Sequence, residues 1–107
     1  MAQIEAHLAK APEDGRGWSV LAPVYLRLGR TEDAIKAYEN SLRILGDEAG
    51  RLSDYGEALV AAGDGVVSAK ARGAFERALG QDAKAVKPQF YLARAAEQDG
   101  DRAQART

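Results

Sequence analysis

The sequence of 107 residues contains no cysteine and a single histidine, His7. Disulfides, thiol catalysis and thiolate metal sites are therefore excluded, and no second imidazole exists to complete a histidine metal site. Neither sign of charge is in large excess, because 15 basic residues are balanced by 16 acidic ones. Nucleic-acid-binding surfaces usually need a basic excess, so this balance argues against nucleic acid as a partner. No apolar run approaches the roughly 18 residues that a membrane-spanning helix requires.

The sequence also lacks the residue groupings that catalysis needs. A Ser/His/Asp arrangement would depend on His7, which lies near the start of the chain and shares no helix face with Glu5. The Gly-Asp-Gly stretch at 63–65 is not a phosphate-binding loop, because no Lys-Ser/Thr follows it and no strand is predicted before it. We therefore predict that the chain is not an enzyme and has no catalytic residue, metal or cofactor of its own.

What the sequence does contain is an internal repeat. The 34 residues from 15 to 48 carry large and small apolar residues at fixed spacing, namely Trp18, Leu21, Ala22, Tyr25, Gly29, Ala34, Tyr38 and Leu42. This is the tetratricopeptide spacing W-x2-L-G-x2-Y…A-x3-F, with Ala in place of Gly and Tyr in place of Phe. The pattern returns downstream at Leu52, Tyr55, Gly56, Leu59, Gly63, Ala71, Phe75 and Ala78, and starts a third time at Phe90, Leu92, Ala93, Ala96 and Gly100.

These repeats predict an all-α fold, a tetratricopeptide-like stack of antiparallel helical hairpins (an α-solenoid) with about six to seven helices. As a single domain over 1–107, it divides into a partial hairpin 1–14, a repeat 15–48, a repeat with an insertion 49–85 and a truncated repeat 86–107. The insertion falls in the turn at 63–67. Predicted helices lie near 2–11, 16–28, 31–45, 49–62, 67–80, 86–99 and 101–106.

The same positions predict how the hairpins pack and how their helices begin. The aromatic residues Trp18, Tyr25, Tyr38, Tyr55 and Phe75 are expected in the core, although an aromatic ligand box is the alternative. Small residues at Ala22 and Gly56 mark close approaches between helices. Thr31, Ser68 and Asp101 are predicted helix caps, and Pro88 is predicted in the first turn of its helix.

In such a stack the first helices of successive hairpins line a groove, and the repeat register predicts which side chains face it. The groove positions are Arg16, Ser19, Val20, Pro23, Leu26 and Arg27 in the first hairpin, Ser53, Asp54, Glu57 and Val60 in the second, and Lys87, Phe90, Tyr91, Arg94, Glu97 and Gln98 in the third. A mixed-charge face with exposed aromatics suits an amphipathic helix or an extended peptide. The alternative is that these are simply solvated helix residues.

Pro23 lies inside a predicted helix and removes the hydrogen bond to the carbonyl of Ser19. A kink at this point would leave that carbonyl on the groove side, where a donor on a ligand can reach it. The alternative is a packing kink in which water satisfies the carbonyl.

Several stretches resemble one family closely: DGRGW at 14–18, LAPVYLRLGR at 21–30, SDYGEAL at 53–59, GVV at 65–67 and FYLARAAEQDGD at 90–101. The family is that of the cytochrome c-type biogenesis protein CcmI, also called CycH. The resemblance implies a periplasmic tetratricopeptide domain of an inner-membrane-anchored protein, which holds the C-terminal helix of apocytochrome c as a chaperone and works with haem-ligation proteins. Membrane attachment would come only from an N-terminal anchor outside this chain.

Two further expectations stay open. The chain shows no polar capping element, so we expect it to be a fragment of a longer protein whose exposed terminal helices form a homodimer or stack hairpins between copies. The alternative function is a generic tetratricopeptide scaffold for protein-complex assembly in the cell envelope or cytoplasm.

Overall fold

Antiparallel helical hairpins make up the computed structural model, which describes the backbone of residues 2–105 and the side chains of residues 2–101. Within that range the chain forms helices and no strand, which confirms the predicted all-α repeat stack. The helices are α1 (Ala2–Lys10), α2 (Gly15–Arg27), α3 (Thr31–Leu45), α4 (Ala49–Ala62), α5 (Ala69–Gln81) and α6 (Val86–Ala105). Helix α2 packs on α3 and α4 on α5, while α3 against α4 and α5 against α6 join the hairpins into an elongated body of 54 × 28 × 17 Å.

Four of the five aromatic residues predicted for the core are buried there. Tyr25, Tyr38, Tyr55 and Phe75 expose at most 7% of their surface. Trp18 is only half-buried and packs against the edge of the core, so it is less buried than the other four. Its indole Nε1–H donates to the carbonyl of Pro12 at 2.8 Å, so the polar edge of the ring lies at the surface while the rest packs on the core.

Close packing between the helices of the second hairpin depends on Gly56. A Cβ atom placed on Gly56 would lie 2.6 Å from Cε1 of Phe75, which is closer than two carbon atoms can approach. Ala22, at the equivalent position of the first hairpin, is fully buried. The predicted close approaches at these two small residues are therefore confirmed.

The helix caps follow the predictions only in part. Ser68 caps α5, because its hydroxyl accepts a hydrogen bond from the backbone N–H of Ala71 at 3.2 Å. Thr31 does not cap α3, contrary to expectation: it is the first helical residue, and Arg30 before it makes no side-chain capping bond. Arg30 instead bonds Asp33 and lies over the ring of Tyr25, 4.4 Å from its centroid.

Helix α6 differs most from its prediction, because it runs unbroken through the predicted turn at Gly100. The two helices predicted at 86–99 and 101–106 are one helix to Ala105, and Asp101 lies inside it rather than capping a new helix. Gly29, at the equivalent repeat position, has φ +77 because α3 packs back on α2 there. No helix follows α6 among the described residues, and its backbone stays helical through Gly100. Residues 106 and 107 of the predicted last repeat lie outside the described residues.

The insertion forms a turn with two consecutive left-handed residues, Asp64 at φ +54 and Gly65 at φ +91. It ends in Val67, which is 3% exposed and packs with Val60, Phe75 and other apolar residues between α4, α5 and α6. The lengthened turn therefore contributes to the core that holds α6.

Candidate binding groove

The predicted groove positions lie on α2, α4 and α6, the first helices of the three repeats. Direct bonds join those of α4 and α6. Lys87 Nζ lies 3.2 Å from Asp54 Oδ1 and 3.2 Å from Glu57 Oε1, and the Tyr91 hydroxyl donates to Glu57 Oε2 at 2.9 Å. These four residues, which we call the polar cluster, bridge two helices that are 30 or more residues apart in the sequence.

The environment of the polar cluster favours a charged lysine and neutral tyrosines. Burial tends to lower the pKa of Lys87, but its hydrogen bonds to Glu57 and Asp54 outweigh burial and raise that pKa. Burial raises the pKa of Tyr91, and the hydrogen bond to Glu57 raises it further. The charges of the polar cluster also act on Tyr38 of α3. Burial, and to a smaller extent the charges of Asp54 and Glu57, raise the pKa of Tyr38 to about 12.

An aromatic stack connects the groove to the core. The ring of Tyr91 is parallel to the ring of Phe75, with centroids 4.8 Å apart. Phe90 meets Tyr91 edge-on at 5.2 Å and keeps 57% of its own surface exposed. Phe90 is thus a large, exposed apolar side chain that is supported by two buried or half-buried rings. Such a side chain is a suitable contact for an apolar group of a ligand.

The α2 side of the groove has a different character. Val20 is 58% exposed, and Leu26 and Pro23 are half-buried. Arg16 and Arg27 are both exposed.

Two further features of α2 bear on the predictions for Ser19 and Pro23. Ser19 is occupied by a hydrogen bond to Ser41 of α3. Helix α2 continues through Pro23, so the Ser19 carbonyl loses its helical donor without the helix ending. Its use by a ligand stays a prediction.

Three predicted groove residues are buried or already bonded within the domain. Ser53 and Val60 are buried, with 6% and 7% of their surface exposed, so neither is open to a ligand. Gln98 is half-buried and bonded at both ends of its amide to the insertion: Nε2 donates to the Gly65 carbonyl at 3.0 Å, and Oε1 accepts from the Val67 N–H at 3.0 Å. The register located these residues on α4 and α6, but it did not indicate that the predicted insertion packs against Val60 and bonds to Gln98.

The sequence did not predict the polar cluster or the effect of its charges on Tyr38. The repeat register carries a signal for the cluster, because Lys87 is the second residue of its repeat while Asp54 and Glu57 are the sixth and ninth of the preceding one. Opposite charges at these positions of neighbouring repeats indicate an ion pair between first helices. No comparable signal distinguishes Tyr38 from an ordinary core tyrosine.

Two cavities lined by described residues lie away from the groove positions. One of about 420 Å³ lies between α1 and α2 and is lined by Glu5, Leu8, Ala9, Pro12, Trp18, Leu21 and Tyr25. The Tyr25 hydroxyl donates to Glu5 there at 2.6 Å, which raises the pKa of Tyr25. The other, of about 260 Å³, lies between α3, α4 and α5 and is lined by Glu39, Leu42, Arg43, Tyr55 and Arg77.

Residues 3–107 match a family model described as the cytochrome c-type biogenesis protein H TPR domain. The match spans nearly the whole chain and all three repeats. The chain belongs to this family.

Two curated relatives have the name cytochrome c-type biogenesis protein CycH. The protein of Bradyrhizobium diazoefficiens is 52% identical over 105 residues, and that of Rhizobium meliloti is 45% identical over 105 residues. In both comparisons the alignment covers 98% of this chain and 28% of the relative. The resemblance predicted from short stretches is thus confirmed, and the chain corresponds to just over a quarter of each relative.

The described residues contain neither a membrane-spanning helix nor a metal-binding cluster. None of the helices described here is both long and apolar enough to cross a membrane. In the part of the chain whose side chains are described, no group of three or more His, Asp or Glu residues is placed to hold a metal ion.

Proposed function

We propose that this domain binds a polypeptide along the groove positions of α2, α4 and α6, and that it serves as a chaperone for apocytochrome c during cytochrome c maturation. The observation that carries the proposal is Phe90, which is 57% exposed and held on the stack of Tyr91 and Phe75. Membership of the cytochrome c-type biogenesis family supports the choice of ligand. The ligand segment is the C-terminal helix of apocytochrome c.

Membership of the same family supports the proposed location and partner proteins of the domain. We place it in the periplasm, as part of a protein anchored in the inner membrane, beside the proteins that ligate haem. It binds and presents the polypeptide and performs no chemistry itself. A homodimer formed through the terminal helices α1 and α6 is part of the proposal for the isolated chain.

The test is a titration of the domain into a fluorescently labelled peptide from an apocytochrome c C-terminal helix, followed by anisotropy. A scrambled peptide of the same composition is the control for sequence. Phe90→Ala should weaken binding at least about tenfold, as expected for removal of a well-supported aromatic anchor. Val66→Ala is the matched control, because Val66 is a 50% exposed apolar residue in the insertion and is not a groove position.

The outcomes separate the proposal from its alternative. Selective binding that Phe90→Ala weakens and Val66→Ala does not would support the groove. Equal binding of both peptides would instead favour a generic scaffold for complex assembly. The cavity between α3, α4 and α5 offers such a scaffold a second surface, lined in part by Arg43 and Arg77.

A further inference from the structure

Charged side chains are divided unequally among the three helices of the groove. The groove positions of α2 carry Arg16 and Arg27 and no acidic residue. Those of α4 carry only acidic residues, Asp54 and Glu57. Those of α6 are mixed, with Lys87, Arg94 and Glu97.

The acidic residues of α4 are partly neutralised by one shared lysine. Glu57 accepts hydrogen bonds from both Lys87 and Tyr91, and Asp54 accepts one from Lys87. One ammonium group serves two carboxylates, so Lys87, Asp54 and Glu57 together keep one net negative charge. The α4 side of the groove positions therefore disfavours the acidic flank of a ligand. On α6, Arg94 and Glu97 offset each other's charge.

The arginines of α2 are free by comparison. Throughout the part of the chain whose side chains are described, no carboxylate lies within ion-pair distance of Arg16 or Arg27. The acidic residues nearest to Arg16 in the sequence are engaged elsewhere. Asp14 bonds His7 at 2.8 Å and the backbone of Gly17, and Glu13 bonds Arg43 at 3.2 Å. Each guanidinium therefore keeps its full set of N–H donors, whose planar arrangement matches a carboxylate.

From this asymmetry we infer that the groove selects an amphipathic helix with carboxylates on one flank, and that this flank lies against α2 while the apolar face meets Phe90. The inference rests on the proposed function, because it specifies the chemistry of the ligand in the same groove. Arg16 and Arg27 are eleven positions apart in α2, which corresponds to about 16 Å along the helix axis. Exposed Val20 lies between them and gives the ligand helix an apolar contact.

The experiment uses two labelled helical peptides with the same apolar face, one with glutamates and one with glutamines on a single flank. Affinities are measured by anisotropy for the wild-type chain and for the Arg16→Gln/Arg27→Gln variant. We expect the glutamate peptide to bind wild type about tenfold more tightly than the glutamine peptide, since each exposed charge pair contributes modestly. The double variant should lose that preference.

The matched control is Lys36→Gln/Lys84→Gln, which removes the same net charge from two exposed lysines outside the groove positions. It should keep the preference for the glutamate peptide. The preference of wild type should also shrink as salt is raised, because exposed charge pairs are screened.

The outcomes distinguish this inference from the proposed function. If both peptides bind wild type equally, and Phe90→Ala weakens both, the charge selection is wrong while the groove stands. If the lysine control loses the preference as fully as the arginine variant, selection comes from net charge and the α2 assignment is overturned. If Phe90→Ala leaves every affinity unchanged, the proposed groove itself is wrong.

Discussion

Gln98 of α6 makes two hydrogen bonds to the backbone of the inserted turn, since its amide accepts from the buried N–H of Val67 and donates to the carbonyl of Gly65, each at 3.0 Å. These two bonds attach the third repeat to the second across 31 to 33 residues of sequence. The insertion thereby positions the helix that carries Lys87, Phe90 and Tyr91. A feature that lengthens a turn in the sequence thus acts on the groove.

Gln98→Ala should destabilise the domain by about 1–3 kcal/mol, because the N–H of Val67 would remain buried without a partner. Urea unfolding followed by circular dichroism measures the change. Gln81→Ala is the control, since Gln81 is exposed at the end of α5 and its side chain makes no hydrogen bond within the described part of the chain. Equal midpoints for the two variants would show that the Gln98 amide contributes nothing to holding α6.

Two glycine substitutions should change stability in opposite directions. Gly56→Ala places a Cβ atom against Phe75 and should cost about 1–3 kcal/mol of stability through overpacking. Gly73→Ala, in the interior of α5, meets no heavy atom within 4 Å and should stabilise the domain by about 1 kcal/mol through helix propensity. Thermal unfolding of both variants beside the wild type measures the effects. A neutral or stabilising Gly56→Ala would contradict the close packing of α4 on α5.

Much of this architecture could be predicted from the sequence because the repeat spacing reflects packing that recurs. Ala22, Gly56 and Phe75 are at positions where the motif itself requires small or large side chains, so the hairpins and their contacts followed directly. The register also located Phe90 and Lys87 on one helix, α6, as the structure has them. These are local rules applied repeatedly along the chain.

What could not be predicted depends on contacts between distant parts of the chain. Glycine at position 100 predicts a turn like the one at Gly29, but α3 packs back on α2 after Gly29, whereas α6 stays helical through Gly100. Gln98 was predicted to face a ligand, because nothing in the repeat pattern indicates that an insertion 31 residues earlier in the chain would reach its amide. The burial of Val60 has the same origin, since it packs with Val67 at the end of the inserted turn.

The pKa of Tyr38 predicts a loss of stability in alkaline solution. Burial raises this pKa from 10.0 to about 12 in the folded chain, so the folded state retains the proton more tightly than the unfolded state does. The contribution is therefore fully present below pH 10 and is lost as pH rises from about 10 to about 12. Tyr38→Phe should flatten this decline, because phenylalanine keeps the ring and has no proton to lose.

The measurement is the free energy of unfolding in urea at several alkaline pH values, combined with tyrosinate absorbance during titration. The Tyr25→Phe variant is the comparison, because the pKa of Tyr25 is raised mainly by its hydrogen bond to Glu5. In the wild type we expect Tyr38 to be the last tyrosine to ionise. The absorbance step at the highest pH should therefore be absent from the titration of Tyr38→Phe. If the alkaline decline is equally steep in Tyr38→Phe and wild type, Tyr38 is not the group responsible.

The polar cluster predicts a destabilisation that depends on salt. Lys87→Met keeps most of the aliphatic stem but leaves Asp54 and Glu57 without their shared cation, so the two carboxylates repel each other. Because all three side chains are more than a third exposed, the expected loss is at most about 1 kcal/mol at low salt. It should diminish at about 1 M salt, where charges separated by more than a few ångströms are screened.

Lys84→Met is the control for the lysine, since Lys84 is exposed in the turn before α6 and makes no ion pair within the described part of the chain. Urea midpoints of both variants and of wild type, measured at low and high salt, decide between two roles for Lys87. If Lys87→Met loses stability only at low salt, Lys87 holds α6 against α4 through its charge. A loss of equal size at both salt concentrations would instead assign it to packing of the side chain, because dispersion and apolar burial are not screened.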